Sequence, residues 1–223
     1  LYLLIWVVMF DHIPSIGGWT REHLFLAYGI GIFAWGLMAF IGYGLRSLPQ
    51  QIDQGELDVA LTQPKPVLMT VAVSSSKGSG PPEAIMGLML MTYCGVVLDV
   101  SLPLLLLMSI CAFLVFASMV LMIGSLGFWV GQMYEWAEEL YYNIFIISNR
   151  PEGIFTGGLK LMTYTAMPVA FMTFLPVRVL IDHQYELIAA TLGGTIILVA
   201  LALWLFHAGL RHYESGNRFG VRG

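Results

Sequence analysis

The chain has 223 residues, 58% of them hydrophobic and 11% charged, with a formal net charge of -4. A mean hydropathy of +0.79 excludes a soluble globular enzyme or a disordered chain, because soluble domains carry about 25% charged residues and cannot cover so much apolar surface. The negative charge excludes a nucleic-acid binder.

The expected fold class is therefore an all-α membrane protein. Each Asp, Glu, Lys or Arg costs a few kcal/mol at the bilayer centre, and roughly 20 residues cross the hydrocarbon. Charge-free stretches thus locate the spans. Residues 1–11 are apolar but half a span long, and are read as the outer half of a first span whose start is missing. The second span is expected at 23–45, with Gly29, Gly31 and Gly36 inside it. After the polar segment 46–66, a third, short span is expected at 84–99 and a fourth at 103–131, started by Pro103. Gly127 and Gly131 form a small-xxx-small pair that lets another backbone approach. Cys94 and Cys111 lie in apolar runs and read as small buried hydrophobes rather than a disulfide or a metal site. The fifth span is expected at 159–180, bent or broken near its outer end by Pro168 and Pro176, with Arg178 and Asp182 pairing at the surface. The sixth is expected at 186–210. Together these make one transmembrane domain over 1–223, a six-span bundle with a truncated first span.

Lysine and arginine orient it. Segments 46–82, 131–160 and 211–223 would share one side and hold Arg46, Lys65, Lys77, Arg150, Lys160, Arg211, Arg218 and Arg222, against Arg21 and Arg178 on the other. The positive-inside rule then puts the first group, and the C-terminus, in the cytoplasm of a plasma or bacterial inner membrane.

The chain shows no nucleophile motif, no zinc motif and no Cys/His cluster. Residues 153–160 (GIFTGGLK) approximate a phosphate loop but fail it, because the lysine comes one place late and Leu161 stands where magnesium needs Ser or Thr. No cofactor or metal is expected in this chain, and it should not be an enzyme; ATP and magnesium would belong to a partner subunit. The most informative polar stretch is RSLPQQIDQGELDVALTQPKP, residues 46–66. Ile52, Leu57 and Leu61 stand near helical spacing, Pro49 can start a short helix, Gly55 can turn it, and Pro64 can end it. From the residues alone this is either an ordinary surface loop or a pair of amphipathic turns facing a soluble protein.

The same stretch resembles the intracellular loop of the ABC-2-type permeases, a six-span family whose pattern I-x-x-G-x-L-D-x-x-L-x-x-P falls on Ile52, Gly55, Leu57, Asp58, Leu61 and Pro64. NRPEGIF at 149–155, MPVAFMTFLP at 167–176 and RHYESGNRF at 211–219 follow in the family's order. The amino-terminal elbow helix is absent, and SSSKGSGPPEA at 74–84 is unusually small and polar for this family. The resemblance implies an exporter-type permease that pairs with a second copy or a related permease and docks on cytoplasmic ATP-binding subunits. The loop would be its coupling helix, built from Ile52, Asp53, Gly55, Glu56, Leu57, Asp58, Leu61 and Pro64. Leu57 and Leu61 are expected to fill a groove in the ATPase, with Glu56 and Asp58 at its rim. The segment after the fifth span would supply short outer helices that form a gate. An ion-coupled secondary transporter, for which His207 is the clearest intramembrane ionisable group, and a non-transporting scaffold are the alternatives.

Overall fold

The computed structural model describes residues 2–213. The terminal match beyond Tyr213, with Arg218 and Arg222, lies outside the described residues. Helices account for nearly all regular structure, and among the described residues an isolated Ile16–Trp19 bridge is the sole β-type pairing. In chain order the helices are α1 (Tyr2–His12), α2 (Arg21–Ile41), α3 (Tyr43–Arg46), α4 (Leu48–Gln54), α5 (Leu57–Leu61) and α6 (Val67–Ala72). They continue with α7 (Gly80–Val97), α8 (Leu102–Ser125), α9 (Tyr134–Ser148), α10 (Gly157–Tyr164), α11 (Leu175–Leu180) and α12 (Leu187–Leu210). Three stretches are long and apolar enough to cross a bilayer: α2, α8 with its following 3₁₀ turn, and α12.

Small residues set the core of the bundle. Gly29 and Gly36 of α2 alternate with Gly80 and Gly87 of α7 along an antiparallel seam. A Cβ at Gly29 would meet the Met91 nitrogen at 2.8 Å, and one at Gly80 the Phe40 nitrogen at 2.6 Å. At Gly36 and Gly87 it would fall on the backbone of Ala84 and Phe33. Side chains there are replaced by main-chain contact, which brings the two helices close along their whole shared length. Gly127 and Gly131 have a local role instead: Gly127 faces Pro49 and Ile52, and Gly131 faces Asp53.

Two expectations are corrected. The stretch 159–180 is not one span. It is α10, a break at 165–169, a π turn at Ala170–Phe174 and α11. Pro168 removes a backbone donor at the break, and the wide π turn accommodates Pro176, whose ring and missing N–H are incompatible with an ordinary turn behind it. The hairpin dips into the bundle, with Ala166 and Met167 facing Leu126, Leu140 and Leu205 across a cavity of about 280 Å³, and then returns to the end from which it came.

The second correction concerns α9, which falls in a stretch expected to stay on one side. Its 15 residues span about 22 Å. Ala137, Tyr141, Ile144 and Ser148 form its buried stripe. The helix starts beside Arg46, where α2 and α3 finish. It ends with Asn149 against Gly31, while Pro151, Gly153 and Ile154 pack on Gly17 ahead of α2. α9 therefore runs antiparallel to α2 from what we call the Arg46 end to the middle of α2, and the segment 149–154 carries the chain on to the Trp19 end. Lys160, expected opposite Arg178, is at the same end: Glu152 joins it (3.1 Å) to Arg178 (2.7 Å). Asp182 pairs with His23 at 3.0 Å instead of Arg178.

Candidate coupling site

The segment leaving α3 is built as a small platform at the Arg46 end. Pro49 sits in the first turn of α4, and Gln51, buried, donates from Nε2 to the Gly44 carbonyl and Ser47 Oγ, both at 2.9 Å. Gly55 takes φ +73°, the left-handed conformation that closes a helix without the Cβ penalty, and its N–H returns to α4. The chain then turns into the five residues of α5.

Each expected coupling residue can now be placed. Ile52, half-buried, packs on Gly127. Asp53 Oδ1 accepts the Gln132 N–H at 3.0 Å, tying α4 to the turn ahead of α9. Leu57 is fully buried in a cluster with Leu48, Ala60, Val71, Leu121, Ala202 and Phe206. It anchors the segment to α8 and α12, so it is not available to fill a groove in another protein. Asp58 lies beside Tyr213, and burial together with this carboxylate pushes the Tyr213 hydroxyl up to about 12. The phenol thus stays protonated at physiological pH. Glu56, Leu61 and Pro64 are exposed.

The surface that faces away from the bundle includes residues the spacing did not single out. Val59 is 65% exposed, Leu61 46%, Met69 63% and Val73 67%. α6 folds back along α5, and between them runs a groove of about 810 Å³ lined by Glu56, Val59, Gln63, Met69 and Val73 among others. α6 is held by Val71, whose carbonyl packs on Gly44. A hint of α6 was present in Pro66, which precedes the apolar run VLMTVA as a helix-starting proline.

Next to the platform is a buried cation. Arg46, 4% exposed, makes a bidentate pair with Glu138 of α9 at 2.5 and 3.3 Å. Its guanidinium lies over the rings of Trp35 (4.4 Å), Tyr43 (5.6 Å) and Tyr141 (5.9 Å). Such a fork is charge-assisted and planar, and the aromatic faces compensate the lost hydration. At the Trp19 end, Glu152 is 3% exposed and gathers Lys160, Arg178 and the Tyr164 hydroxyl (2.9 Å). Among the described residues no group of three or more His, Cys, Asp and Glu could hold a metal ion.

A model of the family described as ABC-2 family transporter protein matches residues 1–217. Neither the curated proteins nor the solved structures returned a match.

Proposed function

The chain belongs to the ABC-2 transporter family, a membrane permease of ABC-type transport, and on that premise we propose that it is an exporter-type permease subunit driven by ATP hydrolysis in partner subunits. The observation that carries the reading is the platform at the Arg46 end. An exposed apolar edge, Val59, Leu61, Met69 and Val73, with Glu56 beside it, rests on a base locked into α8, α9 and α12. A surface of that composition on a rigid support suits docking to a soluble protein, and movement imposed there would pass into the bundle.

The Arg46 end is then cytoplasmic, and α1, α2, α7, α8, α9 and α12 make six crossings with the 157–180 hairpin on the outer side. Lysine and arginine no longer decide the matter. Among the described residues Arg46, Lys65, Lys77 and Arg211 stand at one end and Arg21, Arg150, Lys160 and Arg178 at the other. The coupling platform takes over as the ground for this orientation. ATP and magnesium are held by the partner, and a second permease copy or relative completes the pathway. Co-purification with an ATP-binding subunit, followed by ATP turnover in vesicles, tests the proposal. The complex should hydrolyse ATP and the isolated chain should not; ATP turnover by the isolated chain, or no association with any ATP-binding subunit, refutes it.

A further inference from the structure

Two polar nodes stand at opposite ends of α9, and the permease mechanism proposed above leaves both without a role. At the Arg46 end α9 is fixed to the platform twice. Arg46, two residues before the start of α4, forks onto Glu138. Asp53, at the other end of α4, accepts from Gln132 just before α9. The Tyr141 hydroxyl, one turn along, donates to the Val120 carbonyl at 3.3 Å. At the Trp19 end the segment following α9 places Glu152 between Lys160 of α10 and Arg178 of α11, so that one carboxylate closes both arms of the hairpin.

We propose that Arg46 and Glu138 are positioning residues that clamp α9 to the coupling platform, so that α9 carries movement of the platform to the hairpin gathered by Glu152. This rests on the permease reading. A helix can transmit displacement when it moves as one piece between two attachments. α9 is held through Glu138 in its first turns, and four residues beyond its last residue Glu152 takes up both cations of the hairpin. A side chain serving stability alone does not require a fork onto a partly exposed carboxylate, since a neutral packed pair fills such a site at least as well. The fork does fix direction, because a guanidinium and a carboxylate joined by two bonds cannot rotate independently.

The test uses the complex of the full chain with its ATP-binding subunit in vesicles. A cysteine at Gly158, a position with open space around it, is labelled with a membrane-impermeant maleimide with and without ATP. In the wild type the labelling rate should change with ATP. Arg46→Lys keeps the buried charge and loses the two-bond fork, and Glu138→Gln, which leaves Arg46 without its counter-charge at a cost in stability, is read at a temperature where it stays folded; both should still bind the ATP-binding subunit and hydrolyse ATP. Their ATP-dependent change should vanish, and transport per ATP should fall about tenfold, the effect of losing one charge-assisted contact. Glu138→Asp should restore part of it. A merely structural role would lower yield and hydrolysis together and leave the labelling response intact, which overturns the clamp. An unchanged response in both variants, or no ATP-dependent labelling in the wild type, overturns it as well. Failure of the wild-type chain to bind any ATP-binding subunit refutes the permease reading itself.

Discussion

Leu57 and Leu61 stand one helical turn apart, yet truncating them should have opposite consequences. Leu57 is fully buried, and its neighbours Leu48, Val71, Leu121, Ala202 and Phe206 come from α4, α6, α8 and α12. Four separate elements cannot collapse together onto the space an alanine leaves. The cost should therefore fall inside the usual range for buried leucines, about 3 kcal/mol. For a chain of this size that lowers the melting temperature by roughly 6–12 °C. Leu61 is 46% exposed, so Leu61→Ala should leave stability within about 0.5 kcal/mol. If Leu61 is an interface anchor, the same change should weaken ATPase binding by about 1–2 kcal/mol, roughly 5- to 30-fold in Kd. Thermal unfolding of the purified permease followed by tryptophan fluorescence gives the first quantity. Titration of the ATP-binding subunit against permease in nanodiscs gives the second. A Leu57→Ala protein as stable as wild type, or a Leu61→Ala protein that unfolds early, would refute the division of labour between the two leucines.

Gly36→Leu places a side chain on the Ala84 backbone and should prevent α2 and α7 from pairing, read as loss of the monodisperse peak in detergent; Gly193→Ala, in open space, should elute normally. Glu152→Ala leaves Lys160 and Arg178, both partly exposed, without their carboxylate and should cost about 1.5 kcal/mol; amide exchange should accelerate across 157–180, and unchanged protection would contradict the role given to Glu152. A cysteine at Gly158 should react with impermeant reagent in intact cells, and one at Gln54 after the inner face is opened; reaction of both from the same side would remove α9 as a crossing.

How far the sequence revealed this arrangement depends on where each charge finds its partner. The stretches between Glu22 and Arg46, Asp99 and Glu135, and Glu186 and Arg211 are free of Asp, Glu, Lys and Arg, and most of each of the long helices α2, α8 and α12 lies within them. α9 escaped the same ruler because Glu135, Glu138 and Glu139 crowd its first turns. The charge of Glu138 is met by Arg46, 92 residues earlier, and no local pattern carries a partner at that separation. The hairpin failed in the opposite sense. A charge-free stretch can cross a membrane or fold back inside it, and the prolines that make 159–180 fold back announced a bend or a break without its size. In the coupling segment Ile52, Leu57 and Leu61 were legible as an apolar series, but which of them faced inward was not. α5 ends at Leu61, and beyond its last turn helical spacing no longer dictates direction. Val59, Met69 and Val73 went unnoticed because single apolar residues in a polar loop resemble ordinary surface.

The glycine seam between α2 and α7 has a consequence for how such permeases diversify. Residues 42–79 leave the bundle and re-enter it at the same end of that seam, where Gly80 packs on Phe40, so they form an insert whose two attachment points are held a helix diameter or less apart. An insert with a fixed base can be exchanged between relatives without re-registering the helices that carry it. Leu57 and Asp53 must then be kept as its fittings, while Val59, Leu61, Met69 and Val73 are free to vary with the partner. Transplanting 42–79 alone between two such permeases should therefore transfer the choice of ATPase and leave the choice of cargo where it was.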